Sequence, residues 1–384
     1  MTKPIFSIVF LLLIAGACKD DENQLSNSNS TAQGEYSRPV LPDQTENYAN
    51  QALPNYLLAG PVANADNTPP NNPITNAGAT LGRVLFYDKQ MSLNNSLACA
   101  SCHQSINGFS DPATLSLGFE SGSTGRHSMS LANSTYYANG RFFWDERAAS
   151  LEDQVLMPIQ DHVEMGMSLD SLKKRLNTLD YYPALFTAAF GSDEINSDRI
   201  SLALAQFIRS MISFNSKFDI GLQQVTNPGQ DFPNFSAEEN LGKSLFLDPA
   251  IGCAACHGTN AFIAPGPRNN GLDLLNVDDG GVGEANGNAN QVGQFKVGSL
   301  KNIALTAPYM HDGRFTTLEE VIEHYNSGVQ DNANLSVPLR LPNGGVRRLN
   351  LSQEEKDALL AFLNTLTDTV IIADSKFSDP FPAH

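Results

Sequence analysis

The sequence predicts a mainly α-helical protein made of two tandem domains that share one plan. A Leu-Gly-[Arg/Lys]-x-Leu-Phe-x-Asp segment occurs twice, at residues 81–88 and 241–248, and each copy has the apolar spacing of one helical face. A Cys-x-x-Cys-His run follows each copy, at residues 99–103 and 253–257. Strand signals are few, so we expect helices and turns to build both domains.

The two Cys-x-x-Cys-His runs are the attachment signature of c-type haem. Two thiols three positions apart add to the vinyl groups of one porphyrin, and the adjacent histidine becomes an axial ligand of the iron. The alternative is a structural zinc site made from the four cysteines, but zinc does not need a histidine after each pair. We therefore expect two covalently bound haem c groups, held by Cys99, Cys102, His103, Cys253, Cys256 and His257.

Each domain is predicted to close with an amphipathic helix, at residues 200–214 in the first and 354–366 in the second. Ser352 and Glu355 have the spacing of a capping box at the start of the second of these helices. Two helices packed around a haem is the plan of cytochrome c. The fold class we expect is therefore mainly α, with two cytochrome c-like haem domains in tandem.

The domain boundaries follow from the repeat. We expect the first domain, with the haem that reacts, to span residues 51–225, and the second, with an electron-transfer haem, to span 226–384. Residues 220–238 look like the link between them. The Gly/Asn-rich stretch 280–293 is expected to be a flexible loop rather than a phosphate-binding one, because it lacks Gly-x-Gly-x-x-Gly.

The N-terminus predicts export. Residues 1–17 combine a basic start, a short apolar run and small residues before a cut, which is typical of a secretory signal and too short to span a membrane. Cys18 after these small residues resembles a bacterial lipoprotein signal, so we expect a lipid anchor at Cys18; the alternative is plain cleavage that leaves a free thiol. Residues 18–50 read as a flexible tether. The expected location is the periplasm or cell envelope, as an outer-membrane lipoprotein of a Gram-negative bacterium.

The charge of the chain excludes one class of partner. With 24 basic and 41 acidic residues, the formal net charge is −17. A nucleic-acid-binding protein needs a basic face, so we expect no nucleic-acid partner. The acidity is compatible with a basic protein partner, with calcium, or simply with solubility.

Two stretches carry longer motifs. Residues 141–165 contain FWDxRA, LxxQ and a Glu-Met pair, and residues 300–321 read LxNIALTAPYMHDGRFTTLEEV. On these motifs the chain, from about residue 70 to 368, resembles the bacterial di-haem cytochrome c peroxidases. It is also similar to their relative that matures the tryptophan tryptophylquinone of methylamine dehydrogenase. The resemblance implies an oxidoreductase that reduces hydrogen peroxide to water with electrons from a small donor protein, a cytochrome c or a copper protein.

The resemblance also implies roles for four residues. Glu164 matches the acid/base over the first haem, Gln154 and Pro158 match residues that shape its pocket, and Trp144 matches an aromatic bridge between the haems. Elementary chemistry agrees, because a carboxylate whose pKa is raised in a dry pocket can move a proton between the two oxygens of a peroxide. The ordinary alternatives are a solvated glutamate and a core tryptophan.

The chain departs from the peroxidase pattern at both haems. Phe119 stands where many of these peroxidases have a removable histidine, so we expect the first haem to be open without reductive activation. His127 could be a displaced ligand, although a loop histidine is the favoured interpretation. Tyr325 stands where peroxidases place a methionine, which makes it the predicted axial ligand of the second haem; a phenolate would lower its potential. Met310 and His324 are nearby rivals.

The resemblance also bears on a calcium site. Thr306 and Pro308 match carbonyl donors of a calcium ion between the haems, but His127 replaces the matching asparagine. Lys301 replaces the usual arginine of the same motif, and we attach no meaning to that change.

Two alternative functions stay open from the sequence. One is an oxidase that modifies a partner protein by long-range electron transfer, and the tyrosine at position 325 is compatible with this function as well. The other is a non-enzymatic electron-relay cytochrome, which requires both irons to have two strong axial ligands.

Overall fold

We describe the protein from a computed structural model, which covers residues 37–382 in the detail used below. The part of this range from Arg38 onward forms one compact unit. Its backbone is helical, and strand pairing in this part of the chain is limited to isolated bridges, which confirms the mainly α fold class. The predicted signal, Cys18 and most of the tether lie outside the described residues. No helix between residues 37 and 382 is long and apolar enough to cross a bilayer.

The helices of the first half surround one long pair. They are α1 (Asn55–Leu58), α2 (Gly60–Ala63), α3 (Asn76–Tyr87), α4 (Cys99–Cys102), α5 (Leu151–Gln154), α6 (Met157–Gln160), α7 (Leu169–Leu176), α8 (Tyr182–Phe190) and α9 (Ser197–Arg209). Helices α3 and α9 cross closely, since a Cβ on Gly82 would lie 2.0 Å from the carbonyl oxygen of Ala203. Only glycine leaves room for that approach.

The second half repeats the arrangement. Its helices are α10 (Lys217–Leu222), α11 (Ala237–Leu247), α12 (Ala254–His257), α13 (Gly281–Asn286), α14 (Leu318–Glu323), α15 (Gln353–Asn364) and α16 (Thr369–Ala373). A Cβ on Gly242 of α11 would lie 1.8 Å from the carbonyl oxygen of Ala358 in α15, which matches the α3–α9 crossing. The glycine of the duplicated Leu-Gly motif is therefore the residue that lets each pair of long helices meet.

Short turns connect these helices. Three-residue 3-10 turns lie at Lys89–Met91, Ser105–Asn107, Ser134–Tyr136, Ala289–Gln291, Ile303–Leu305, Val337–Leu339 and Ser375–Phe377, and a π-helical segment covers His324–Gly328. Residues 280–293, expected to form a flexible loop, instead contain α13 and one of these turns.

The capping box at Ser352 and Glu355 is confirmed: the Ser352 side chain accepts from the Glu355 backbone N–H, and the Glu355 carboxylate accepts from Ser352. The apolar spacing of the second motif copy places residues 241, 244 and 245 on one helical face, but α11 does not bury that face. Leu241 is 37% exposed, and Ser244 is exposed as well. Gly242 and Phe246 face the core instead, because the close crossing at the glycine sets the rotation of the helix.

Each half of the chain has its own hydrophobic core. Phe218 of α10 packs in the second core. Ile371 and Phe377 from the C-terminal segment pack in the first core. A smaller third cluster joins the halves.

Candidate functional site

Two cavities lie where the sequence places its two haem runs. The first has a volume of about 430 Å³ and is lined by Cys102 and His103. The second has a volume of about 280 Å³ and is lined by Cys253, Cys256 and His257. Helices α4 and α12 carry these residues to the cavity walls.

Each motif histidine is oriented by a backbone carbonyl. The Nδ1 atom of His103 lies 3.1 Å from the Phe109 carbonyl oxygen, and that of His257 lies 3.0 Å from the Phe262 carbonyl oxygen. A carbonyl only accepts, so Nδ1 carries the proton and Nε2 keeps a lone pair for a metal. Phe109 and Phe262 both have positive φ, 62° and 55°, which turns their carbonyls toward the rings. Burial lowers the pKa of both imidazoles, which keeps them neutral.

The four cysteines fit covalent haem better than zinc. Those of the two runs are unpaired thiols, and burial raises the pKa of Cys99 and Cys253 to about 12. The two pairs face separate cavities, so they do not form one four-sulfur site. Within the described chain no group of three or more His, Cys, Asp or Glu side chains is placed to hold a metal ion. Cys102 and His103 line the first cavity, with Cys99 at the other end of α4, and Cys253, Cys256 and His257 line the second. Each set has the two thiols that attach a haem c and the nitrogen that binds its iron.

The residues predicted to act on the first haem all line the first cavity. Glu164, Gln154 and Pro158 share its wall with His103. Burial, assisted by the negative charge of Asp161, raises the pKa of Glu164 to about 7, and the positive charge of Arg147 opposes this shift. Glu164 can therefore hold or release a proton near neutral pH, which is the property expected of an acid/base.

Hydrogen bonds from nearby residues hold the loop that carries Glu164. One carboxylate oxygen of Asp161 accepts from the backbone N–H groups of Val163, at 2.8 Å, and Glu164, at 3.1 Å. The Phe119 N–H donates to the Glu164 carbonyl oxygen at 3.0 Å. The Phe119 ring packs against Gly166, and Phe119 is not among the residues that line the first cavity.

His127 lies between the two cavities and lines both. Its Nε2 is 3.2 Å from Ser110 Oγ, and its Nδ1 is 3.1 Å from the Ala113 carbonyl oxygen and 3.2 Å from that of Thr114. Its own carbonyl oxygen accepts from Nε1 of Trp144 at 2.7 Å. Both ring nitrogens are engaged with protein atoms, which supports the loop interpretation over a displaced ligand.

The residues present do not fit the expected calcium ion. Thr306 and Pro308 line the second cavity beside His127. Since the carbonyls of Ala113 and Thr114 only accept, the Nδ1 atom of His127 meets them as an N–H donor. A protonated Nδ1 has no lone pair to offer, so it cannot replace the oxygen ligand that the matching asparagine would supply to calcium.

Tyr325 is the best placed of the three candidate ligands in the second cavity. It lines that cavity from the π-helical segment, and burial raises the pKa of its phenol to about 12. Single π-turns inside helices are frequent at functional sites. Met310 also lines the cavity, but its sulfur accepts from Asn270 Nδ2 at 3.3 Å. His324 is not a lining residue, and its Nε2 lies 3.1 Å from the Asn270 carbonyl oxygen.

Lys296 is a site residue that the sequence did not reveal. It lines both cavities, and its N–H donates to the Trp144 carbonyl oxygen at 2.8 Å. Its Nζ donates to the Arg141 carbonyl oxygen at 3.1 Å and lies 3.8 Å from the centre of the Phe142 ring. Burial lowers the pKa of Lys296 to about 7. A lone lysine in an unassigned loop gives no motif, so the structure was needed to find it.

The structure shows a second duplication within the chain. Residues 142–148 and 309–315 each close with an antiparallel bridge between their end residues. Each loop carries an Asp-x-Arg pair joined by a salt bridge. In this alignment Trp144 of the first loop corresponds to His311 of the second. The repeated Asp-x-Arg spacing was the available signal.

Comparison with known proteins identifies a matching family and similar proteins within it. Residues 76–227 match the family model described as di-haem cytochrome c peroxidase. The methylamine utilization protein MauG of Methylophilus methylotrophus is 34% identical over 78% of this chain and 84% of its own length. The cytochrome c551 peroxidase of Nitrosomonas europaea is 32% identical over 75% of this chain and 79% of its own.

A solved structure agrees over nearly the whole described chain. The crystal structure of a MauG-like protein associated with microbial copper homeostasis superimposes with a TM-score of 0.75 at 33% identity, covering 86% of this chain and 99% of that one. Two cavities with haem-binding runs, the tandem helical fold and these relatives lead to one conclusion: the chain belongs to the di-haem cytochrome c peroxidase family, and the family implies two haem cofactors.

Proposed function

We propose that this protein is a peroxidase that reduces hydrogen peroxide to water with electrons from a small redox protein. The observation that carries the proposal is the wall of the first cavity, where Glu164, whose pKa is about 7, faces the same space as His103. Relatives named cytochrome c peroxidases support the assignment. The overall reaction takes two electrons and two protons per peroxide and yields two water molecules.

Two covalently attached haems are part of the proposal. Cys99, Cys102 and His103 would hold the first, and the corresponding residues 253–257 the second. When bound in the first cavity, the haem supplies a redox-active iron that peroxide can approach. Glu164 then takes a proton from one peroxide oxygen and returns it to the other, which makes the departing oxygen a better leaving group. Gln154 offers an amide at the same wall without competing for that proton.

Trp144 is the proposed route for electrons between the cavities. It lines both of them, and its ring is held by the hydrogen bond from Nε1 to the His127 carbonyl. Tyr325 lines the second cavity and would bind the iron of the second haem. Its desolvated phenol would become a phenolate only beside a compensating cation such as that iron.

A second candidate function is the oxidation of a partner protein at a distance, with peroxide as the oxidant. The observation that favours it is Tyr325 in the second cavity, where the peroxidase pattern has methionine. MauG proteins and a MauG-like protein of copper homeostasis are among the similar proteins. In this function electrons leave the partner instead of a soluble donor.

Export, the lipid anchor at Cys18 and the calcium ion stay predictions. Export and lipidation rest on residues 1–18, and labelling with radioactive palmitate in parent and Cys18→Ala cells tests the anchor. Calcium rests on the resemblance alone, and the environment of His127 argues against it. Metal analysis of the purified holoenzyme tests it.

The test of the proposed function has two parts. Intact mass and pyridine haemochrome spectra should show two covalent haems per chain; zero or one haem would overturn the cofactor assignment. The holoenzyme should then consume peroxide in proportion to the oxidation of a reduced cytochrome c. Peroxide consumption without donor oxidation, together with new oxidised residues on a co-expressed partner, would favour the second candidate. Two low-spin irons and no peroxide consumption would indicate an electron relay.

A further inference from the structure

Two segments of the second cavity wall differ in charge from the rest of the chain. The chain has 41 aspartates and glutamates among 384 residues, yet residues 249–272 and 334–350 contain none. These two segments supply much of the second cavity wall, including Gly252, Cys253 and Leu339. Four arginines lie in them, at positions 268, 340, 347 and 348. These two segments of the cavity wall are therefore basic in a protein whose net charge is −17.

The three arginines after residue 334 are presented by one hairpin, residues 337–348, which we call the arginine hairpin. Arg340 and Val346 form an antiparallel bridge, and the Leu341 N–H donates to the Gly345 carbonyl oxygen at 2.7 Å. Pro338 and Leu339 of the hairpin line the second cavity. The hairpin is thus both a wall of the cavity and a feature of the outer surface.

Backbone carbonyls, rather than carboxylates, hold two of these arginines. Arg347 donates to the Ala250 carbonyl oxygen at 3.0 Å, and Arg348 donates to that of Val329 at 2.7 Å. Between residues 37 and 382 neither has a carboxylate within 4.0 Å, whereas Arg340 pairs with Asp331 at 2.9 Å. A carbonyl fixes a guanidinium without cancelling its charge, so Arg347 and Arg348 keep their positive charge at the surface.

The same hairpin exposes apolar side chains. Val337 is 81% exposed and Leu341 is 42% exposed. Arg347 packs beside Gly252, the residue before Cys253, where an added Cβ would lie 3.2 Å from its Nη1. An apolar patch with fixed positive charges beside a redox cavity has the composition of a docking surface for a charged electron-transfer protein.

We propose that the arginine hairpin is the docking surface of the electron donor, and that the donor is a small redox protein with an acidic face around its redox centre. This inference rests on the proposed function, because it names the partner of the second cavity. Most of the acidic surface repels such a donor, and the hairpin attracts it, so the field orients the donor toward the second cavity. A basic donor would be drawn to other parts of the surface.

The test uses one donor in two charge states. Native horse-heart cytochrome c is basic, and succinylation of its lysines makes it acidic. With the full-length holoenzyme and peroxide, the reduced succinylated protein should give the higher kcat/KM at low ionic strength, and salt should lower it. Arg348→Glu should reduce that kcat/KM about tenfold, the lower end of electrostatic steering effects. Lys174→Glu, the same charge change on the exposed side of α7, should leave it within about twofold.

Small-molecule turnover separates this inference from the proposed function. Peroxide-dependent oxidation of ascorbate with a phenylenediamine mediator should be equal in Arg348→Glu and the parent. An equal loss with both donors would mean that the arginine serves the cavity itself, which overturns the docking surface. The docking surface is also overturned if native cytochrome c is turned over faster than the succinylated protein and Arg348→Glu does not change that rate. If mediator turnover is absent in the parent, the proposed function fails. The docking surface is then tested by binding of succinylated cytochrome c to the immobilised proteins: weaker binding to Arg348→Glu than to the parent supports it, and equal binding overturns it.

Discussion

At the scale of single residues, Glu164 is the group on which the chemistry depends. Burial raises its pKa to about 7, and Asp161 fixes the loop that carries it. Glu164→Gln keeps the size and polarity of the side chain but removes the carboxyl group that can take up and release a proton near neutral pH. We expect both haems and the fold to persist and kcat for peroxide to fall by about 10²- to 10⁴-fold, the usual contribution of a positioned acid/base. Steady-state kinetics at equal haem content measure this.

Asp153 provides the matched control for Glu164. It is exposed, and its carboxylate accepts from the Ser150 hydroxyl at the start of α5. Asp153→Asn should leave turnover within about threefold of the parent, because surface changes of this kind have small effects. A Glu164→Gln enzyme as active as Asp153→Asn would remove Glu164 from the mechanism.

The raised pKa of Glu164 also predicts a pH dependence. Glu164 must be a carboxylate to take the first proton, and it is protonated below a pH of about 7. We therefore expect kcat/KM for peroxide to be highest above this pH and to fall as the pH drops through it, since kcat/KM reports the free enzyme. The pH profile of Glu164→Gln should lack this limb. A profile with the same limb in the variant would assign it to another group.

At the scale of elements, the sequence predicted the parts that depend on local signals. The capping box of α15 and the two haem runs needed only residues close in the chain. The buried face of α11 could not be predicted, because its rotation is set by the contact of Gly242 with a carbonyl of another helix. The environment of Lys296 could not be predicted either, because its partners Arg141 and Trp144 lie about 150 positions away in the sequence.

The helix crossings give a direct stability prediction. Gly242→Ala would place a methyl 1.8 Å from the Ala358 carbonyl oxygen, so α11 and α15 must separate. We expect a loss of about 1–3 kcal/mol in the free energy of unfolding, the usual cost of overpacking. Denaturant unfolding of the holoenzyme measures it. Gly266→Ala, whose nearest neighbour would be 4.0 Å away, is the control, and equal stability of the two variants would contradict the close crossing.

At the scale of the whole molecule, the two halves meet at Trp144 and Lys296, which line both cavities. Trp144→Phe keeps an aromatic ring but loses the hydrogen bond to the His127 carbonyl. If electrons pass through this residue, turnover with a protein donor should slow on the order of tenfold, equivalent to about 1.4 kcal/mol of barrier. Stopped-flow absorbance of the two haems follows the transfer.

Phe295 provides the control for Trp144, because it lines the second cavity but not the first. Phe295→Leu should leave transfer between the haems close to the parent rate. Equal slowing in both variants would show a general loosening of the cavities rather than a route through Trp144.

We expect peroxide reduction to take place in a first cavity that needs no prior opening. His103 and His127 are the histidines among the described residues that line this cavity, and both ring nitrogens of His127 contact protein atoms. The most direct measurement is peroxide turnover by the two-haem holoenzyme, started either from the resting ferric state or after half-reduction. We predict equal rates and no lag from the resting state. Turnover that starts only after half-reduction would contradict the claim that the first cavity needs no prior opening, and absence of turnover from both states, at full haem content, would contradict peroxide reduction itself.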